Sequence, residues 1–185
     1  RRCRHFLSLI VQQLLANIAQ TPSPDATLAS LCRVSDSIGG KGVLWELFHL
    51  NRPSLDLYVR LCSSSPYLTT ILTRYPGMID ELLDSLMLPD LPTLGEMQAA
   101  LALLCNNVED IRPVLHSFKH TQHLNVGVRE LLGKADIKDS TAALSDVAES
   151  CLQHVTWHQH RKLVRKFGQP FVGNSDVPSE LIVLG

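Results

Sequence analysis

Aromatic residues are scarce in this chain of 185 residues, since Phe, Trp and Tyr together make up 5% of it. The interior must therefore be filled mainly by Leu and Ala. Acidic and basic residues nearly balance, at a formal net charge of −1, so charge alone draws the chain to neither nucleic acid nor an acidic partner. The sequence has no apolar run near the ~20 residues that span a bilayer as a helix. These absences favour an ordinary globular chain that binds neither nucleic acid nor a membrane.

Cysteine pairing is the second thing the sequence lacks. The five cysteines are odd in number and far apart, and none forms a CxxC motif. This pattern predicts neither a zinc site nor a disulfide framework, and it favours a reducing, cytoplasmic compartment. We expect the cysteines to behave as small buried hydrophobes, with Cys105 and Cys151 extending apolar stripes.

Helical periodicity dominates what is present, because apolar residues recur at three- and four-residue steps. Ser23-Pro24 and Ser65-Pro66 each place a capping hydroxyl before a proline, and Thr93 to Glu96 has the form of a capping box. The clearest stripe follows Asp139 and predicts a helix to about Phe167, with Gly168 as its stop. The apolar positions that we assign to this stripe are Leu144, Val147, Ala148, Cys151, Leu152 and Val155.

The predicted fold is all-α: a multi-helix bundle of at least seven helices, with a short C-terminal β-like tail. The tail is predicted from residues 180–185, where four apolar residues run into a glycine. The first residues already follow a helical pattern and no initiator Met is present. We therefore expect this chain to be a piece of a longer protein whose next domain starts near residue 178.

Several segments resemble one enzyme family. Residues 73–83, Thr-Arg-Tyr-Pro-Gly-Met-Ile-Asp-Glu-Leu-Leu, look like the "Arg-His-Pro, then Leu-Leu-Asp-Glu-Leu-Leu" signature of glutamine synthetase adenylyltransferases. The residues that resemble other family segments, in the family's order, are 42–48, 58–68, 131–137, 143–152 and 181–185. One departure stands at residues 118–123, Phe-Lys-His-Thr-Gln-His, where the family often has a basic run.

The resemblance implies a function for the parent protein. Enzymes of the family transfer AMP from ATP to a tyrosine of glutamine synthetase and remove it by phosphorolysis, which regulates nitrogen assimilation. It further implies Mg²⁺ and ATP as cofactors of the parent, and glutamine synthetase and the PII signal protein as partners, along with adjacent nucleotidyltransferase domains. The Gly-Gly turn and the Asp-x-Asp pair of the family do not occur within this chain, so we assign it no catalytic, cofactor-binding or metal-binding residue.

Three regions follow from the resemblance. We assign residues 1–90 to a connector or regulatory subdomain of short helices. Residues 91–177 form a bundle of longer helices that precedes the catalytic domain, and residues 178–185 begin the nucleotidyltransferase domain. The alternative is a freestanding helical module for protein–protein interaction whose likeness to the family is accidental.

Three candidate sites have simpler structural explanations. The pairs His154/His158 and His116/His120 have the i, i+4 spacing of zinc ligands, but solvated helix histidines explain them as well. Gly39-Gly40-Lys41-Gly42 could cradle a phosphate, although it lacks the preceding strand, and a turn between helices is the simpler interpretation. A basic cluster could contact nucleic acid or could complement the C-terminal dipole of a helix. Its members are His158, His160, Arg161, Lys162, Arg165 and Lys166.

Overall fold

Helices account for nearly all regular structure in the computed structural model, which describes residues 2–80, 90–173 and 176–179. Within those ranges the chain forms eight α-helices and one short 3₁₀ helix. The helices are α1 (Arg2–Ala19), α2 (Pro24–Ser37), α3 (Lys41–Leu50), α4 (Arg52–Ser64), α5 (Pro66–Arg74), the 3₁₀ helix (Pro76–Met78), α6 (Leu94–Leu104), α7 (Arg112–Leu131) and α8 (Ile137–Phe167). The all-α prediction is confirmed.

The chain after α8 makes one isolated antiparallel bridge, between Phe171 and Pro178. Two backbone hydrogen bonds accompany it, from Val172 N to Val177 O at 3.0 Å and from Ser179 N to Pro170 O at 2.9 Å. The β-strand predicted for residues 180–185 lies outside the described residues, as do the residues from 81 to 89 that follow the start of the family-like signature.

The chain divides into two compact units, Arg1–Leu91 with His120–Leu144, and Pro92–Lys119 with Ser145–Gly185. Helices α7 and α8 therefore each contribute residues to both units. This division follows packing within the chain. The assignment of residues 1–90, 91–177 and 178–185 to functional domains stays a prediction.

The first unit is built around a large aliphatic core with a buried aromatic pair. Phe48 and Tyr58 are fully buried, with ring centroids 5.0 Å apart. The Tyr58 hydroxyl lies 3.2 Å from the Ser35 hydroxyl, so its polar atom is satisfied inside the core. Burial raises the pKa of Tyr58 above its usual range, with a smaller lowering contribution from the Ser35 hydrogen bond.

The second unit has a smaller core where α6, α7 and α8 meet. Its buried members are Met97, Leu101, Phe118 and Val147. Ala100, Leu115 and Cys151 are partly buried and pack against them. With so few large side chains, the loss of any one of them removes a substantial part of this core.

The predicted stripe on α8 is partly wrong. Val147 is fully buried, but Leu144 is 37% exposed and Leu152 is 50% exposed. At 100° per residue, Leu144 and Leu152 lie about 60° and about 140° around the helix from Val147. The buried face is continued instead by small side chains, at Ser140, Ala143 and Ser150. The positions of large apolar residues therefore do not identify the buried face of α8.

The structure confirms some of the predicted helix ends and corrects others. The Ser65 hydroxyl accepts a hydrogen bond from Leu68 N at 3.2 Å, and Thr93 with Glu96 forms the complete capping box, so both predictions are confirmed. Ser23 is the N-cap residue of α2 and Pro24 is its first residue, as predicted, but the Ser23 side chain makes no capping hydrogen bond. Helix α8 begins two residues before Asp139 because Asp136 caps it, its Oδ1 accepting from Asp139 N at 2.8 Å.

The glycine-rich segment from residue 39 to residue 42 spans the break between α2 and the first turn of α3. Lys41 Nζ lies 2.5 Å from Asp36 Oδ1, in an exposed ion pair. The interpretation as a turn between helices is confirmed.

Candidate functional site: a basic cleft beside α8

The basic cluster predicted from the sequence lies on the last turns of α8, which runs unbroken to Phe167 and stops at Gly168, as predicted. Gly168 has φ +86° and its N–H donates to Val164 O at 2.9 Å. Left-handed backbone of this kind favours glycine at a helix end. The helical repeat then places residues spaced by three and four along one face.

That face of α8 lines a cleft of about 560 Å³ in the second unit. Three of the predicted cations line it, namely Arg161, Lys162 and Arg165, together with His154, Trp157 and His158. His160 and Lys166 are not among its lining residues. The sequence cluster is therefore divided, and four of its six members face one cavity.

The opposite wall of the cleft is the connection between α6 and α7. Helix α6 ends at Leu104, and the chain then turns through Asn107, which has a left-handed φ of 59°. Asparagine tolerates this conformation better than most non-glycine residues. The turn brings the backbone carbonyl of Glu109 to 3.2 Å from Lys162 Nζ, which donates a hydrogen bond to it.

The side chains in the cleft hold one another in place. The Arg161 guanidinium lies 4.5 Å from the Trp157 ring centroid, in a cation–π arrangement. His154 and Trp157 are also in ring contact, with centroids 5.9 Å apart. None of the salt bridges found in the described parts of the chain involves Arg161, Lys162 or Arg165.

A second cavity, of about 480 Å³, shares His158, Lys162 and Glu109 with the first. It is also lined by Asp110 and Arg112, whose carboxylate and guanidinium are 2.8 Å apart. Hydrogen bonds from Arg112 lower the pKa of Asp110 to about 2. This carboxylate is already engaged by Arg112.

The two histidines of the cleft have lowered pKa values. Burial is the main cause for both; His158 lowers the pKa of His154 further, and nearby cations led by Lys162 lower that of His158. Both imidazoles are therefore mainly neutral at pH 7. In the described residues, no group of three or more His, Cys, Asp or Glu side chains is placed to hold a metal ion.

The second histidine pair, His116 and His120, has a different setting. His116 is exposed, while the His120 ring lies 4.9 Å from that of Tyr75. His123, in the same family-divergent segment, shares a 2.7 Å hydrogen bond with the Tyr67 hydroxyl. His120 and His123 thus contact aromatic residues of, or just after, α5.

The cysteines partly follow the prediction. All five are free. Cys62 is buried and burial raises its pKa to about 12, Cys105 is buried and Cys151 packs on the second core. Cys32, however, is exposed and so is not a buried hydrophobe.

One family-like segment marks the boundary between two helices, which its sequence alone did not predict. Residues 131–137 form the stop of α7 and the start of α8. Gly133 has φ +69°, and Lys134 N donates to Arg129 O at 2.9 Å, which closes the last turn of α7. The Arg60 guanidinium donates to the carbonyl of Leu131 at the same end.

Comparison with known proteins places these features in a family. The model of the glutamate-ammonia ligase adenylyltransferase family matches residues 55–185, a span that contains the cleft. The chain belongs to this family. The segments that resemble it are therefore not an accidental likeness.

Curated relatives in the glutamate-ammonia ligase adenylyltransferase family are much longer than this chain. A bifunctional glutamine synthetase adenylyltransferase/adenylyl-removing enzyme of Shewanella woodyi is 25% identical over 174 residues, 91% of this chain and 18% of its own length. The enzyme of the same name from Pseudomonas aeruginosa is 27% identical over 172 residues, 90% of this chain and 18% of its own length. The chain thus spans about a fifth of the length of these relatives.

No solved structure shows a significant match to this chain. In the described ranges of the chain, no helix combines the length and apolarity required to cross a membrane.

Proposed function

We propose that this chain is a non-catalytic helical segment of an enzyme that transfers AMP from ATP to a tyrosine of glutamine synthetase and removes it by phosphorolysis. In this role it takes part in the regulation of nitrogen assimilation in the cytoplasm. The observation that carries the proposal is the family match over residues 55–185, which runs from α4 through α8.

Transfer of AMP from ATP requires positioned cations around the phosphates. Hard cations such as Mg²⁺ take carboxylate oxygens as ligands, and no such donor group is assembled in the described residues. The described residues therefore offer no set of ligands that fits the metal, and the proposal gives them no chemical step. In the proposal, Mg²⁺ and ATP bind the adjacent nucleotidyltransferase domains.

Helix α8 suits a positioning role. Its 31 residues give a rod about 46 Å long at 1.5 Å per residue. A continuous helix of this length transmits a displacement along its axis without absorbing it in a loop. We propose that α8 fixes where a catalytic domain lies and transmits changes caused by glutamine synthetase or the PII signal protein.

The test lowers the helical stability of α8 within the parent enzyme by two glycine substitutions. Ala148 and Glu149 are both exposed, so the double substitution Ala148→Gly/Glu149→Gly weakens the helix by up to about 2 kcal/mol without opening a core. We expect it to reduce PII-dependent AMP transfer and to leave the affinity for ATP unchanged. Ala148→Gln/Glu149→Gln is the matched control, because glutamine is a good helix former.

Unchanged PII-dependent regulation in the Ala148→Gly/Glu149→Gly enzyme would contradict the positioning role. The same is true of a parent that lacks residues 27–130 and still shows full regulated activity, since the segment would then be only a spacer.

A further inference from the structure

The cleft beside α8 is lined by more positive than negative side chains. Arg161, Lys162 and Arg165 all line it, and no salt bridge among the described residues includes them. The three cations lie within two turns and repel one another, and an anion between them would relieve that repulsion. A bound anion would supply the negative charge that this wall of the cleft lacks.

The acidic groups near the cleft supply only part of the negative charge. Glu109 lines the cleft, but it is its backbone carbonyl that accepts from Lys162 Nζ, at 3.2 Å. Asp110 lines the second cavity, where Arg112 holds it, and Lys162 also lies close enough to lower its pKa slightly. The first cleft is therefore lined by three cations and one carboxylate.

Two of the cations are already oriented. Trp157 holds the Arg161 guanidinium at 4.5 Å from its ring centroid, and the Glu109 carbonyl holds the Lys162 ammonium. Side chains fixed in advance lose less conformational entropy when a ligand binds. The guanidinium and the ammonium both retain further N–H groups for an anion.

His158 adds a neutral hydrogen-bond donor to the three cations of the cleft. The Nε2 atom of His158 is shielded from solvent and has no hydrogen-bond partner among the described residues. Because its lowered pKa keeps the ring mainly neutral at pH 7, His158 can donate one N–H without adding to the repulsion of the cations. A shielded polar atom without a partner at the wall of a charged cavity is a second observation that points to a ligand.

We propose that this cleft binds a small phosphate-bearing anion through Arg161, Lys162, Arg165 and His158. Its volume of about 560 Å³ lies within the roughly 300–1,000 Å³ typical of small-molecule sites. Several separate donors suit the distributed oxygens of a phosphate better than a single carboxylate, for which one bidentate arginine is sufficient. The inference does not rest on the proposed function, because binding here requires no AMP transfer.

The experiment titrates the full 185-residue chain with inorganic phosphate, pyrophosphate, adenosine diphosphate and adenosine. Binding is followed through the indole N–H resonance of Trp157 and by calorimetry. We expect saturable binding of the phosphate-bearing probes and none of adenosine. Phosphate and pyrophosphate distinguish a free inorganic ligand from one presented by a nucleotide, which would bind tightly only as adenosine diphosphate.

The chain offers a matched pair of variants one helical turn apart. Lys162→Gln removes a cleft-lining charge, whereas Lys166→Gln removes the same charge outside the cleft lining. We expect Lys162→Gln to weaken binding about tenfold, as for the loss of one charge-assisted hydrogen bond, and Lys166→Gln to leave it nearly unchanged. Arg165→Gln gives a second readout that does not disturb the Lys162–Glu109 hydrogen bond.

Three outcomes would overturn the proposal. The first is no saturable binding of any phosphate-bearing probe at millimolar concentration. The second is equal weakening by Lys162→Gln and Lys166→Gln, which would mean a diffuse charge effect. The third is a short DNA duplex that binds far more tightly than the small anions with a steep salt dependence, which would mark the surface as a nucleic-acid interface.

Discussion

Gly127 of α7 lies directly against Leu68 of α5. A Cβ added at residue 127 would come within 2.5 Å of Leu68 Cδ1. Both residues belong to the first unit, and Leu68 is buried. The glycine therefore permits a close approach of the two helices, at the turn of α7 that follows the His123–Tyr67 hydrogen bond.

This contact predicts that Gly127→Ala destabilises the chain. Overpacking of a core costs roughly 1–3 kcal/mol, and the better helix propensity of alanine offsets about 1 kcal/mol of that. We expect a net loss of about 1 kcal/mol in urea denaturation. Gly95→Ala in the first turn of α6 is the control, because an added Cβ there meets nothing within 4 Å.

The double variant Gly127→Ala/Leu68→Ala tests whether the two positions are energetically coupled. Space released at residue 68 should accommodate the methyl group added at residue 127, so the two substitutions should be less harmful together than the sum of their separate effects. Strict additivity would show that a side chain at residue 127 does not press on Leu68.

A second prediction compares two identical substitutions in the second unit. Leu101 is fully buried and Leu152 is 50% exposed. We expect Leu101→Ala to cost about 2–5 kcal/mol of unfolding free energy, the usual range for a core leucine. Leu152→Ala should cost below about 1 kcal/mol. Similar losses for both leucines would mean that the buried face of α8 is wrongly assigned.

A third prediction concerns acidification. His154 and His158 have lowered pKa values in the folded chain. Below about pH 6.5 the unfolded chain therefore binds more protons than the folded chain. Stability should therefore fall as the pH falls through that value. The groups that face His158 are Lys162, Arg161 and Arg165 on α8 and Asp110 on the opposite wall, with His154 one turn away.

The measurement is the urea midpoint as a function of pH for the chain and for His158→Gln. We expect the variant to have a shallower decline below about pH 6.5, the ordinary histidine value. An equally steep decline would assign the effect to other groups.

The fold was largely predictable because its signals are local. Thr93 with Glu96, Ser65 before Pro66 and Gly168 after Phe167 each mark a helix end within a few residues, and all three do so in the structure. Burial on α8 was harder to predict, because it depends on which neighbours surround the helix. Leu152 is apolar, as a core residue would be, but it lies on the exposed side of the helix.

The candidate site was only half predictable. Its cations stand together in the sequence from residue 158 to residue 166. Its other wall depends on the left-handed turn at Asn107 and on the Glu109 carbonyl that reaches Lys162, roughly 50 residues away in sequence. No local pattern encodes that approach, which follows from how α6 and α8 pack.

The most direct test of the account is an AMP-transfer assay on the purified 185-residue chain with glutamine synthetase, Mg²⁺ and ATP. A non-catalytic helical segment predicts no AMP on any tyrosine of glutamine synthetase, under conditions where the full-length parent modifies it. Turnover by the chain alone would contradict the account, since the 185-residue segment would then have to contain an active site.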